Sequence, residues 1–237
     1  MFQAVLFDLD GTLLDIELES FLHAYFAALG PVLATVTGPE VSQREALAAV
    51  LSGTQAMSDT HPTRTNREVF TERFCQLTGG DLDEPGAIAA IERFYAQKFP
   101  ELRGSHGPRA GGAAAVLTAR ASGLATVLAT NPIFPLSAIR ERMRWAELDA
   151  SWFEFITSYE TSTACKPNSA YYLQIAERLG IDPTACLMVG DDAALDMPAA
   201  DIGMKTFYVG ADPAARADWY GDLSELQFLL LSVAPKG

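Results

Sequence analysis

Four short stretches hold residues whose chemistry could act together. Asp8, Asp10, Gly11 and Thr12 follow the apolar run Ala4–Phe7, and Thr130 and Asn131 follow the run Ala125–Ala129. Lys166 and Pro167 come later; Gly190, Asp191 and Asp192 follow the run Cys186–Val189, with Asp196 just beyond. Each stretch is ordinary alone. Asp-x-Asp-Gly is common in turns, Lys-Pro and Thr-Asn carry little information, and Gly-Asp-Asp can be a simple helix entry. Their joint occurrence, in order and each at the end of an apolar run or the loop after one, carries the reading. Carboxylates gathered in one crevice repel: two unit charges about 4 Å apart cost roughly 4 kcal/mol at an effective dielectric of 20. A divalent cation would relieve that repulsion, and all-oxygen ligands select a hard ion such as Mg²⁺. Zinc is disfavoured, since His23, His61 and His106 all lie far along the chain from these positions.

This set of groups suits phosphoryl transfer. Asp8 can attack phosphorus and form an aspartyl-phosphate, which divides one hard displacement into two easier ones. Asp10 can protonate the leaving oxygen and later take a proton from water. Lys166 adds a compact positive charge, and Thr130 with Asn131 adds polar groups for the phosphate oxygens. Gly11 lets the chain turn where a side chain would not fit.

A parallel sheet would bring these stretches together. The runs Ala4–Phe7, Ala125–Ala129, Phe153–Ile156, Cys186–Val189 and Thr206–Val209 have strand length and little polarity, as strands buried on both faces require. Helical patterns at Ala113–Ala121, Ser137–Glu147, Ser169–Leu179 and Asp196–Ile202 alternate with them, and Leu223–Leu231 forms a last amphipathic stretch. That alternation predicts an α/β fold with a doubly wound, Rossmann-like parallel sheet, whose ligands bind beyond the carboxyl ends of the strands. Pro167 suits the first turn of the helix that follows Lys166.

Residues 16–102 break the alternation and read as consecutive helices with no strand. Leu18, Phe21, Leu22, Tyr25, Phe26 and Leu29 repeat at helical spacing after Asp15, the expected N-cap. Ser42 with Glu45 and Thr65 with Glu68 have capping-box spacing. A fourth helix carries Ile88, Ile91, Phe94 and Tyr95 and is expected to stop before Pro100, with residues 100–107 as the return hinge. The chain thus divides into an α/β core, residues 1–15 and 103–237, and an all-helical insertion, residues 16–102. Within the insertion, Ser52–Asn66 reads as a polar loop, and Arg64 or Arg67 could reach a distal anionic group of a ligand. Arginines on a solvated helix face are the blander alternative.

Composition narrows the partners. The 237 residues carry 17 basic and 30 acidic side chains, a formal net charge of -13. Such a surface repels nucleic acid and anionic membranes, and no basic patch offsets it: Arg140, Arg142 and Arg144 are expected on a solvated helix. No apolar run is expected to reach bilayer-spanning length, and the N-terminal stretch lacks the features of a secretory signal. Cys75, Cys165 and Cys186 have no paired spacing, so a reducing, cytoplasmic setting is expected. The composition leaves the oligomeric state open.

The stretch Phe7-Asp8-Leu9-Asp10-Gly11-Thr12-Leu13-Leu14-Asp15 resembles the first motif of the haloacid dehalogenase-like hydrolase superfamily. Thr130 resembles its second motif, Lys166 its third, and Gly190-Asp191-Asp192 with Asp196 its fourth. The resemblance implies that Asp8 is the nucleophile and Asp10 the general acid/base. It also implies that Asp8, Asp191 and the Asp10 carbonyl bind Mg²⁺, with Asp196 orienting Lys166 or a bound water. Asp192 stands where family members often carry Ser or Thr. The helical insertion sits where the family places a mobile cap. Dehalogenases of this family lack the second acid of the first motif, and phosphonate-cleaving members lack it too and need a cap lysine; Lys98, at the very end of the insertion, is poorly placed for that. The resemblance therefore implies a phosphatase acting on a small phosphorylated metabolite, with phosphomutase, dehalogenase or a catalytically silent module as alternatives.

Overall fold

A computed structural model of the chain describes residues 2–59 and 61–233. The first strand, β1 (Ala4–Phe7), is buried along its whole length. It leads through the Asp8–Leu13 turn to β2 (Leu14–Asp15), a two-residue strand. Four helices follow: α1 (Leu18–Thr37), α2 (Gln43–Ala56), α3 (Asn66–Thr78) and α4 (Pro85–Arg93). The chain returns through β3 (Gly107–Pro108), which pairs antiparallel with β2. The remainder alternates: α5 (Gly112–Ala121), β4 (Ala125–Leu128), α6 (Leu136–Trp145), β5 (Phe155–Ile156), α7 (Ser169–Leu179), β6 (Cys186–Gly190), β7 (Lys205–Tyr208), β8 (Trp219–Tyr220) and α8 (Leu223–Val233).

Among the described residues, six strands form one parallel sheet in the order β5-β4-β1-β6-β7-β8. Alternation along each strand feeds two cores. Val5, Phe7, Leu128, Leu187 and Val189 pack on one face with α5, α6 and α8. Ala4, Leu6, Val127, Cys186 and Met188 pack on the other with Tyr171, Tyr172 and Ile175 of α7. Both faces are covered, which is why these strands read as unbroken apolar runs.

Several local expectations are corrected. Asp15 does not cap α1: it lies in β2, and the Glu17 carboxylate accepts instead from the backbone N–H groups of Glu19 and Ser20. The two capping boxes at Ser42 and Thr65 form as expected. The fourth helix does not stop before Pro100; it widens into a π turn, Phe94–Lys98, and then tightens into a 3₁₀ turn, Phe99–Arg103. The return is therefore made by the β2–β3 pair and not by a loose hinge; strands of two residues carry no readable periodicity. The polar loop is shorter than expected because α2 runs on to Ala56; Thr60 within it lies outside the described residues. Asp196–Ile202 forms a 3₁₀ helix, Met197–Ile202. Pro167 precedes α7, whose N-cap is Asn168, and the Lys166–Pro167 peptide is cis.

The expectation about apolar length is also corrected. The 20 residues of α1 reach a mean hydropathy of 1.3 over a span-length window, so by length and composition the helix could cross a membrane. In this structure its Phe21, Tyr25, Leu29 and Leu33 are buried in the core, and the helix packs against α2 and α4.

Candidate active site

β1 lies between β4 and β6, where the chain, having built one side of the sheet, crosses to build the other. A crevice opens beyond the carboxyl ends of strands at such a switch point. Asp8 follows β1 and is anchored there by its N–H, which donates to the Val189 carbonyl at 2.9 Å. Thr130 and Asn131 follow β4, and Asp191 follows β6.

Lys166 ties these segments together. Its Nζ donates to Asp8 Oδ1 at 2.7 Å and to Asp196 Oδ1 at 2.6 Å, and its backbone N–H donates to Asn131 Oδ1 at 3.2 Å. One carboxylate oxygen each from Asp8, Asp191 and Asp196 lies within 4.8 Å of the others. That separation is about twice a Mg²⁺–O or Ca²⁺–O bond, so one hard cation could touch all three. Thr12 Oγ1 donates to Asp191 Oδ1 at 2.9 Å. Gly11 is required twice over: its φ is +82°, and a Cβ there would lie 2.2 Å from Asp191 Oδ2. A Cβ on Gly190 would collide with the Asp196 carboxylate at 2.1 Å.

Other predicted residues play less direct parts. Asn131 spends its amide oxygen on the Lys166 backbone. Thr130 is buried, and its carbonyl accepts from the Thr157 and Tyr171 hydroxyls at 2.7 and 2.9 Å, which fixes the loop after β4. Asp196 has both oxygens engaged, one by Lys166 and one by the Asp192 N–H at 3.0 Å. The Asp192 side chain is exposed and caps its own turn through the N–H groups of Ala194 and Leu195. Arg64 pairs with Glu72 at 2.7 Å, and Arg67 pairs with Asp83.

Two arginines of the site were not foreseen. Arg142, expected on a solvated face, is 1% exposed and forms an ion pair with Asp10. Its guanidinium carbon sits 4.5 Å from the centroid of the Phe134 ring. The signal was present: Ala138, Ile139, Arg142 and Met143 share one face of α6, and that face is buried. Arg109, just after β3, donates to the Gly11 carbonyl at 2.6 Å and to the Val209 carbonyl at 3.4 Å, bracing the first turn. Nothing in its local sequence points to this contact.

The charges are tuned by burial and by one another. Burial pushes the Asp10 carboxyl above its ordinary value, against the pull of Arg142 and with the help of the Asp8 charge. Burial and the Asp8 carboxylate together raise Asp191 to about 6. Burial raises Asp196 as well, while the Lys166 ammonium opposes it. Burial alone would lower Lys166, but the Asp196 and Asp8 carboxylates outweigh it and hold the ammonium well above its usual pKa.

These shifts give a stability prediction. Asp191 has a folded pKa above its unfolded one, so its contribution to folding is present below about pH 4 and lost as the pH rises through about 6. Over the whole of that range the difference is on the order of 3 kcal/mol. The metal-free protein should therefore melt lower at about pH 7.5 than at about pH 5. Mg²⁺ at about a hundred times its Kd should add roughly 2.7 kcal/mol, or about 5–10 °C in Tm, at the higher pH and little at the lower. Thermal melts with and without Mg²⁺ check this; a Tm indifferent to both would show that the carboxylates neither strain the fold nor hold a cation.

The sequence and the fold have counterparts among known proteins. A family model for haloacid dehalogenase-like hydrolases matches residues 2–201. An N-acetylmuramic acid 6-phosphate phosphatase of Pseudomonas aeruginosa is 26% identical over 218 residues, which is 86% of this chain and 80% of that protein. A HAD phosphatase from Thermococcus onnurineus has a similar structure, with a TM-score of 0.61 and 23% identity, covering 97% of this chain and 98% of the other. A 2-haloacid dehalogenase from Pseudomonas syringae is similar at a TM-score of 0.63 and 24% identity, covering 98% and 99%. Its likeness concerns the fold, since the fold carries both chemistries. With its family model matched over most of the chain, the protein belongs to the haloacid dehalogenase-like hydrolases.

Proposed function

We propose that the protein is a Mg²⁺-dependent phosphatase that cleaves a small phosphorylated metabolite through an aspartyl-phosphate on Asp8. The observation that carries this reading is the division of labour between the two acids of the first turn. Asp8 bonds to Lys166 within the carboxylate cluster, whereas Asp10 is half-buried and its carboxyl is shifted toward the protonated form. Asp8, Asp191 and the Asp10 carbonyl would hold Mg²⁺, which when bound spreads the charge of the transferring phosphoryl group. Asp8 Oδ attacks phosphorus while Asp10 delivers its proton to the leaving alcohol. Water then attacks the aspartyl-phosphate, Asp10 takes the proton back, and phosphate departs. Lys166 holds Asp8 in line and offsets the negative charge of the phosphate oxygens. Asp196 keeps Lys166 charged and aimed, a positioning role.

The helices α1–α4 act in this reading as a cap that closes over the crevice and excludes water. The acidic surface and the three free cysteines support a cytoplasmic enzyme with a metabolite, and not nucleic acid or membrane, as its partner. Asp10 counts against dehalogenation, which needs no proton donor for a departing halide. Retaining several partly buried carboxylates without chemistry would cost stability, which counts against a silent module.

The direct test is phosphate release from a panel of phosphomonoesters, with and without Mg²⁺. Metal-dependent release is expected. Isomerised product without free phosphate would indicate a phosphomutase, chloride release from a haloacid a dehalogenase, and no turnover with no metal binding a silent module. The same assay tests Arg142. In Arg142→Met, Asp10 loses its ion-pair partner, and kcat should fall by about 10- to 100-fold with KM nearly unchanged. A KM effect alone would place Arg142 in substrate binding.

A further inference from the structure

Asn66, the first residue of α3, is fully buried and lies against the loops that carry two residues of the site. Its amide nitrogen is 3.1 Å from the Pro132 carbonyl oxygen, 3.3 Å from that of Ala164 and 3.2 Å from the Cys165 sulfur. Pro132 directly follows Asn131, and Ala164 and Cys165 directly precede Lys166. Asn131 and Lys166 are themselves joined, since the Lys166 backbone N–H donates to Asn131 Oδ1 at 3.2 Å. A ring of contacts results: Asn66 spans the two loops on one side, and Asn131 spans them on the other. Lys166 is the member of that ring whose side chain reaches Asp8, at 2.7 Å.

Asparagine suits this position for a specific reason. A carboxamide offers two hydrogens, and sulfur is a weak acceptor, so each of the two carbonyls can take one. Turned over, the amide would set its oxygen against two carbonyl oxygens, and an aspartate would do the same with a charge. The Asn66 oxygen is buried too, with no hydrogen-bond partner among the described residues. An unpaired buried acceptor is costly, so the side chain is seated for its donor end. The backbone docks α3 without it: the Asn66 N–H donates to the Ser162 carbonyl and the Arg67 N–H to the Tyr159 carbonyl, each at 2.8 Å. Docking and aiming are therefore separable.

We propose that Asn66 is a positioning residue for Lys166: from a helix outside the parallel sheet, its carboxamide locks the two loops that aim the ammonium at Asp8. The inference rests on the phosphatase reading for its effect on turnover and adds a residue to it. None of the Asn66 hydrogen bonds goes to a carboxylate of the cluster, so its influence passes through Lys166. Without the lock, the chain before Lys166 gains freedom, and a misplacement of about 1 Å can cost about 10²-fold in rate.

The test compares single and double variants. Asn66→Ala should lower kcat by at least about tenfold, with KM within about twofold of the wild type. In a Lys166→Met background the same substitution should cost less than about threefold, because the side chain it aims is gone. Ser42→Ala removes the capping box of α2, whose bonds stay within that helix; it should lower Tm and leave kcat unchanged. Asn66→Ser, with one hydrogen to donate, should lose less than the alanine variant and carries the same comparisons if that variant does not fold. Independently of turnover, the Tm losses of the Asn66 and Lys166 variants should be sub-additive when combined. A kcat within about threefold of the wild type, an equal loss in both backgrounds, or additive Tm losses would overturn the positioning role alone. No phosphate release by the wild type from any ester, with the Tm losses still sub-additive, would overturn the phosphatase reading and leave Asn66 as the brace of the Lys166 loop.

Discussion

Asp8→Asn should leave a folded protein that releases phosphate at least about 10⁴-fold more slowly than the wild type. An amide oxygen cannot form the covalent intermediate, yet it can still accept the 2.7 Å hydrogen bond from Lys166. The substitution also removes one of three carboxylates whose oxygens lie within 4.8 Å of one another. Each close pair of such charges repels by roughly 4 kcal/mol at an effective dielectric of 20. The metal-free variant should therefore melt no lower than the wild type, while its Tm responds less to Mg²⁺. Lost turnover with an unchanged or raised Tm separates a chemical role from a folding defect. Residual activity within about tenfold of the wild type would mean that another group attacks phosphorus.

Lys166→Met should damage both activity and stability. Lys166 is 3% exposed and serves two buried carboxylates at once. Without it, Asp8 and Asp196 face each other with no ammonium between them. Breaking a buried pair by removing one partner costs about 3–5 kcal/mol. For a chain of this length that lowers Tm by roughly 6–20 °C. Activity should fall by about 10³-fold, since the charge that steadies the phosphate oxygens and aims Asp8 is gone. Mg²⁺ should recover part of the lost stability and none of the activity, because a cation can screen the carboxylates but cannot bond to Asp8 and Asp196 in the lysine's place. Lys166→Arg should not rescue turnover: a planar fork does not fit a position enclosed by Asp8, Asp196 and the Tyr171 ring, whose centroid is 5.9 Å from Nζ. Melts and phosphate assays on the two variants test this together; a Met variant as stable as the wild type would show that the ion pairs are dispensable.

Both predictions begin from residues that stood out in the sequence, because acids placed at the ends of apolar strands leave a local mark. Asp8, Asp10 and Asp191 follow directly on short apolar strands, and Gly11 and Gly190 accompany them for steric reasons that the structure makes explicit. The sheet was legible for a related reason. Strands buried on both faces must be apolar throughout, so β1, β4 and β6 declare themselves. Capping boxes at Ser42 and Thr65 were equally readable, since each is a three-residue contact.

What tertiary structure alone decided are the contacts between segments far apart in the chain. Arg142 lies 132 residues from Asp10, and its role depends on how α6 packs beneath the first turn. Arg109 reaches Gly11 across 98 residues, and the β2–β3 ribbon joins two pairs of residues with no periodicity of their own. A cavity lined by α1–α4, α6 and the loops after β4 and β5 depends on how these distant segments meet. The sequence by itself determined which groups could do chemistry and which strands carry them, because propensity, capping and apolar patterning act over a few residues. It did not determine which counterion each acid meets or what shape the insertion encloses, because burial and pairing are properties of the whole packed chain.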